Sequence, residues 1–305
     1  MLLKELASSK VRRRLQSGGL TLRTGPFVFR IRSPIRHVAS SLTTLYADTP
    51  LAADEEFVDF HVRVRLSQGP RRLYRAQSEF DLDGVMPFKP LPGPQALAML
   101  EWGMNWCIYN HAHHLLILHG AVLEKNGGAM LLPAPSGSGK STLCAGLMHR
   151  GWRLLSDELI LIDPEQRQVL PLCRPVSLKN RSISLIREFA PEAVLTDPIL
   201  DTAKGSVAHL RPDADSIARA NEPVPIRWAV FPRFEAGSET RLTGVRRADA
   251  FMMLVDNAFN YSLLAERGFE TLADVVDGLE ARQLEYSDLD NAITALGRLT
   301  DGRSS

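Results

Sequence analysis

Cysteine is scarce in this chain: three in 305 residues, at Cys107, Cys144 and Cys173. An odd set without metal-ligand spacing excludes a disulfide framework and a thiolate zinc site, and it suits a reducing cytoplasm. Long apolar runs are missing too. None approaches the roughly 20 residues that a membrane-spanning helix needs, and Met1-Leu2-Leu3-Lys4-Glu5 lacks the apolar core of a secretory signal. Neither sign of charge dominates, since a net charge of +1 exerts no global pull toward nucleic acid or a membrane surface. There is no internal repeat and no low-complexity segment. The expectation is a cytoplasmic protein of one large or two smaller domains, with neither nucleic acid nor membrane as partner.

What is present is concentrated in Ala134-Pro135-Ser136-Gly137-Ser138-Gly139-Lys140-Ser141-Thr142. Gly137 and Gly139 permit turns closed to other residues, so that consecutive N–H groups can point at phosphate oxygens. Lys140 offers a mobile charge to β- and γ-phosphates, and the Ser141 hydroxyl is placed to ligate Mg²⁺. The apolar run Ala129–Leu132 reads as a buried strand before the loop. Ser141 to Arg150 reads as a helix after it, whose N-terminal end adds to the anion site. Ala134 stands where the usual pattern has its first glycine. Residues 135–142 are therefore candidate nucleotide ligands, with ATP and Mg²⁺ as the implied cofactors.

Two further elements frame the loop. Asp157-Glu158 follows Lys140 by only 17 positions, after a helix that stops near Gly151. A strand carrying this pair would return it beside the phosphates, its neighbours facing opposite ways and so serving different roles. Upstream, Leu115–Glu124 and the loop strand flank Lys125-Asn126-Gly127-Gly128. Asn-Gly between apolar runs predicts a hairpin that lays His119-Gly120 alongside the loop strand.

Together, His119-Gly120, Ser136–Ser141, Arg150-Gly151 and Leu154–Glu158 resemble the HPr kinase/phosphorylase-like family, in its HPr kinase-related branch. Arg174–Asn180 and Lys204-Gly205-Ser206 look like features of that branch. The resemblance implies an α/β fold with a P-loop core like that of HPr kinase and phosphoenolpyruvate carboxykinase. It also implies ATP-dependent serine kinase activity on a protein or peptide, and a homo-oligomer. By it, Asp157 is the general base, assisted or oriented by His119. Lys140 and Ser141 hold ATP and Mg²⁺, and Glu158 joins Asp157 and Ser141 at the metal. Glu158 replaces the family's second Asp, and no copy of the family's downstream Glu-rich signature is found. Phosphorolysis and HPr itself are accordingly not implied.

The chain divides at Pro87–Pro94, a proline-dense stretch that continues neither helix nor central strand. Residues 1–92 then form a small β-rich domain, with alternating strands expected over 20–22, 27–31, 58–66 and 73–80. Residues 93–305 form the P-loop domain, entered by a helix over 95–111. Near the C-terminus a strand over 228–232 ends at Pro232. Helices follow over 247–257 and 271–279, then a strand over 281–286 and a final helix capped within Ser287–Asp290. Besides a protein-serine kinase, two other functions fit these residues: a kinase of a small hydroxyl compound such as a free amino acid, and a non-catalytic, nucleotide-gated peptide-binding module.

Overall fold

The computed structural model describes residues 1–53, 55–69, 74–135 and 137–302. It is a mixed α/β structure with several sheets. The first sheet holds β1 (Leu20–Thr24), β2 (Phe27–Arg32), β3 (Phe60–Leu66), β4 (Gln77–Leu82) and β5 (Leu91–Pro92) in chain order. Its strands alternate buried and half-buried positions, as expected for a sheet with one covered face. Helices α1 (Ser8–Gln16), α2 (Arg36–Leu45) and α3 (Ala96–His111) pack around it. The core beneath runs past residue 92, joining Phe29, Val64 and Phe80 to Leu100, Met104 and Ile117. The fourth strand begins later than the alternation suggested, at Gln77, and Leu73 of that expected strand lies outside the described residues.

The second sheet positions the glycine-rich loop. β6 (Leu116–Lys125) and β7 (Gly128–Pro133) form the expected hairpin. Its two turn residues, Asn126 and Gly127, both have positive φ (52° and 72°), the requirement of the tight turn that matches strand twist. Helix α4 (Lys140–His149) leaves the loop and stops at Gly151, whose φ is +79°. β8 (Arg153–Ser156) and β9 (Leu159–Ile162) then pair in succession with β6, and β10 (Gln168–Leu170) adds to β9.

A third, three-stranded sheet has β13 (Gly205–Leu210) between β11 (Val176–Lys179) and β12 (Ile199–Thr202), with α5 (Arg181–Phe189) after β11. The chain passes through α6 (Ala214–Ala218) and rejoins the second sheet as β14 (Val224–Phe234). Next come β15 (Arg241–Gly244), α7 (Arg247–Asp256), α8 (Tyr261–Gly278), β16 (Glu280–Tyr286) and α9 (Leu289–Asp301).

At the centre of the second sheet, β7, β14 and β16 run parallel. Both faces are buried. Met130, Leu132, Trp228 and Val230 face α4 and α9, while Ala129, Leu131, Ala229 and Phe231 face α7 and α8. Continuous apolar runs such as Ala129–Leu132 follow from this two-sided burial.

Three local expectations are corrected. β14 does not stop at Pro232 but continues to Phe234, with Pro232 opposite Leu284 of β16. The β7 ladder has ended by then, and the Phe234 N–H on that edge goes to Ser138 O instead. A proline two residues earlier therefore forfeits no ladder bond. The helix expected over 271–279 belongs to the longer α8, interrupted at Ala265, where φ is +49°. Asp157 and Glu158 do not sit on one strand: they form the break between β8 and β9, with Glu158 at φ +82°.

Candidate functional site

The glycine-rich loop lies at the carboxyl ends of the parallel strands, the position where open α/β sheets bind ligands. Gly139 has φ +86°, and a Cβ there would meet the Tyr286 hydroxyl at the end of β16. That hydroxyl donates to Gly139 O at 3.1 Å, so only glycine lets the loop cross so close to the strand end. Residues 135 and 137–142 are in place around the start of α4, and Ser136 lies outside the described residues.

A cleft of about 560 Å³ opens beside the loop. One wall is the loop itself, with Pro135, Gly137 and residues 139–142. A second is the end of β11 and start of α5, with Ser177, Lys179 and Arg181, together with Lys204 from the β12–β13 turn. Phe234, Tyr286 and Leu289 supply an apolar side. The chain has seven lysines, and Lys140, Lys179 and Lys204 all line this cleft.

The acidic pair and the histidine meet the loop from behind. The Ser141 hydroxyl donates to Asp157 Oδ1 at 3.2 Å, and the Ser177 N–H donates to Asp157 Oδ2 at 3.1 Å. Glu158 is turned the other way by its left-handed backbone, a conformation that costs a non-glycine residue about 1–3 kcal/mol and clusters at functional sites. Its carbonyl accepts from the Gly120 N–H (3.1 Å), and its carboxylate lies 3.6 Å from Lys179 Nζ and 3.8 Å from His119 Nδ1. Lys140 Nζ, almost wholly buried, donates to Ala134 O (3.2 Å) and to His119 Nε2 (2.9 Å). His119 therefore accepts at Nε2 and carries its proton on Nδ1, which faces Glu158 O at 3.2 Å. His119 thus contacts Lys140 and Glu158; among the described residues no hydrogen bond joins it to Asp157.

The charges perturb one another. Burial, and next the Glu158 charge, push the Asp157 carboxyl well above its usual range. Burial also acts on Glu158, but Lys179, Lys204 and Lys140 outweigh it and hold that carboxyl low. Adjacent carboxylates are thus driven apart, the pattern by which one site obtains a basic and a permanently ionised group. Burial and then Lys140 lower the His119 pKa, keeping the ring neutral at physiological pH. Burial likewise pulls the Lys140 ammonium below its ordinary value, despite Asp157 and Glu158.

A family model described as SynChlorMet cassette protein ScmC matches residues 95–171, the stretch from α3 through the hairpin and glycine-rich loop to the end of β10. Among solved structures, the HPr(Ser) kinase/phosphatase from Coxiella burnetii is similar at 13% identity. That match covers 61% of this chain and 98% of the other, with a TM-score of 0.27. No curated protein matches the sequence. Among the described residues no helix is long and apolar enough to cross a membrane.

Reading the sequence for sites left out Ser177, Phe234 and Tyr286. Tyr286 carried no local signal, because its role comes from the parallel pairing of β14 with β16, far apart in sequence. Lys179, Lys204 and Ser177 fall inside the fragments 174–180 and 204–206 that resemble the kinase branch, which was the available hint. Elsewhere, His111 Nδ1 contacts Cys107 O, and the His114 ring lies against Phe27.

Proposed function

We propose that this chain is a P-loop kinase of HPr kinase-like type, transferring the terminal phosphoryl group of ATP to a serine hydroxyl on a protein or peptide. The observation that carries the reading is a cleft at the carboxyl ends of parallel strands that is lined by a glycine-rich loop and three lysines, with a carboxylate pair held directly behind it against Ser141 and Lys179. Phosphoryl transfer demands mainly positioning and charge neutralisation, and each requirement has a residue. The loop N–H groups and Lys140 cradle the β- and γ-phosphates. The base lies against the apolar side formed by Phe234 and Leu289.

Ser141 and the Asp157–Glu158 pair are hard oxygen donors, two of them already 3.2 Å apart, and that donor chemistry fits Mg²⁺. The metal would neutralise charge on the β- and γ-phosphates. Asp157, made more basic by burial, accepts the serine proton, which general-base catalysis favours when the pKa approaches working pH. His119 holds Lys140 in place rather than abstracting the proton, because its Nε2 lone pair is already occupied.

Calorimetry with ATP and Mg²⁺, and mass spectrometry of serine-containing peptides encoded near this chain's gene, test the proposal together. Binding is expected with transfer to serine. Wild-type protein that binds no ATP refutes the site, and binding without transfer to any hydroxyl, peptidic or small, leaves a nucleotide-gated binding module.

A further inference from the structure

The cleft has more cations than a glycine-rich loop supplies by itself. Lys140 belongs to the loop, but Lys179, Arg181 and Lys204 stand on the opposite wall. Lys179 and Lys204 come from separate segments, the end of β11 and the β12–β13 turn, and one residue, Asn180, joins them. Its N–H donates to Ser206 O (2.9 Å), its Oδ1 accepts from the Ser206 N–H (3.0 Å), and its Nδ2 reaches Lys204 O (3.5 Å). Gly205 has φ +81°, and a Cβ there would strike the Asn180 carboxamide, so the turn fits only with glycine at that point. Thr202 closes the turn from within, donating to Gly205 O (2.6 Å) and accepting from the Lys204 N–H (3.1 Å).

The backbone beneath Lys204 is thus fixed by several hydrogen bonds, while its side chain is exposed and lies 5.3 Å from the centroid of the Trp102 ring. A long cationic arm on a rigid turn has freedom to reach an anion at small cost in backbone order. Both wall lysines act electrostatically on Glu158, and Glu158 lies against His119, the partner of Lys140. Lys179, 3.6 Å from Glu158, and Lys204 therefore share the cleft with Lys140 and act on the same carboxylate that flanks its histidine partner.

We infer that the turn at residues 204–206, keyed to β11 by Asn180, is a second phosphate-binding element, in which Lys204 clamps the terminal phosphate of the nucleotide from the side opposite the glycine-rich loop. The inference rests on the kinase reading above. It assigns Lys204 a task distinct from that of Lys140: Lys140 reaches the β-phosphate that ATP and ADP share as well as the γ-phosphate, whereas Lys204 meets only the phosphate that ADP lacks.

Calorimetry of ATP and ADP, each with Mg²⁺, separates the two tasks. Lys204→Ala is expected to weaken ATP about tenfold or more, the scale of one lost charge-assisted contact, with ADP changed less than about twofold. Lys204→Arg should keep most of the ATP affinity. Asn180→Ala, which unties the turn without touching a charge, should reproduce the ATP-selective loss in weaker form. Lys140→Ala should weaken both nucleotides. Melting curves without nucleotide check that Lys204→Ala remains folded, as its exposure implies. An equal loss of ATP and ADP, or no loss of either, overturns the clamp while leaving the kinase reading in place. Wild-type protein that binds neither nucleotide removes that reading and the clamp with it.

Discussion

Two clusters of charge flank the segment 174–179, and they are built on opposite principles. At its start, Arg174 is buried against Glu101 (2.6 Å) and Asn105 (2.6 Å), with the Tyr46 hydroxyl at 3.4 Å from Arg174 and donating to Glu101 at 2.8 Å. Cation and carboxylate are matched one to one, and both have further hydrogen bonds. At the segment's other end, Lys179, Lys140 and Lys204 act on Asp157 and Glu158, so cations outnumber carboxylates. Burial pulls the Lys140 ammonium down and pushes the Asp157 carboxyl up; in both cases the folded state disfavours the charged form. The first cluster completes itself and ties α2 and α3 to the strand that begins at Val176. The second has cations in excess, which the phosphates of the proposed nucleotide would balance. A satisfied buried network is thus architecture, and an unbalanced one is a site.

The largest expected effect breaks the first cluster. Arg174→Met leaves Glu101 buried without its cation, and removal of one partner of a buried pair costs about 3–5 kcal/mol. Urea unfolding should show this loss, and adding Glu101→Leu should recover much of it, because an apolar pair carries no desolvated charge. A single variant within about 1 kcal/mol of wild type would mean that solvent reaches this network and that the contrast with the cleft is false.

Next in size is the effect on transfer at Asp157. Asp157→Asn retains the shape and removes basicity, so turnover should fall about 100-fold or more, the scale of general-base loss, while ATP affinity changes little. A parallel fall in nucleotide affinity measured with Mg²⁺ would assign Asp157 to the metal instead. Wild-type turnover in the variant would pass the proton-accepting role to Glu158.

Lys140→Met sharpens the comparison from the other side. ATP binding should weaken at least tenfold, about 1.4 kcal/mol. The unfolding free energy should stay within about 0.5 kcal/mol of wild type or rise, because the folded state disfavours the buried ammonium. A stability loss as large as that of Arg174→Met would show that Lys140 is architecture as well.

Sequence made one cluster legible and hid the other. The loop, the hairpin and the acidic pair lie within residues 119–158, where local chemistry dictates geometry: Asn126-Gly127 takes its turn, and Gly151 ends its helix. Glu158 was misjudged because alternation assumes a regular strand, and a left-handed residue at the β8–β9 break defeats it. The partners of Arg174 lie 128 and 73 positions away, at Tyr46 and Glu101, and no spacing rule connects them. Pro232 misled for a related reason: whether proline ends a strand depends on the neighbouring ladder, which is a tertiary fact. The wall lysines fall between these cases, since fragments 174–180 and 204–206 stood out separately while their union through Asn180 is visible only in three dimensions.

The smallest effect concerns the residue between the clusters. His209 on β13 lies opposite Ser177 of β11 and is 1% exposed. Neither of its ring nitrogens has a hydrogen-bond partner among the described residues. Burial lowers its pKa, with Glu101 opposing and Arg174 adding to the fall, and with Glu158 opposing more weakly. A folded-state pKa below the unfolded 6.5 means that only the unfolded chain takes up the proton as pH drops through that value. The contribution of His209 is therefore complete above pH 6.5 and erodes below it, by at most about 1.4 kcal/mol per pH unit. Urea midpoints between pH 7.5 and 5.5 should fall for the wild type, and His209→Leu should flatten that fall whatever its effect at pH 7.5. If the slope persists in the variant, the acid sensitivity belongs to the carboxylates of the flanking clusters, and His209 is an apolar spacer between them.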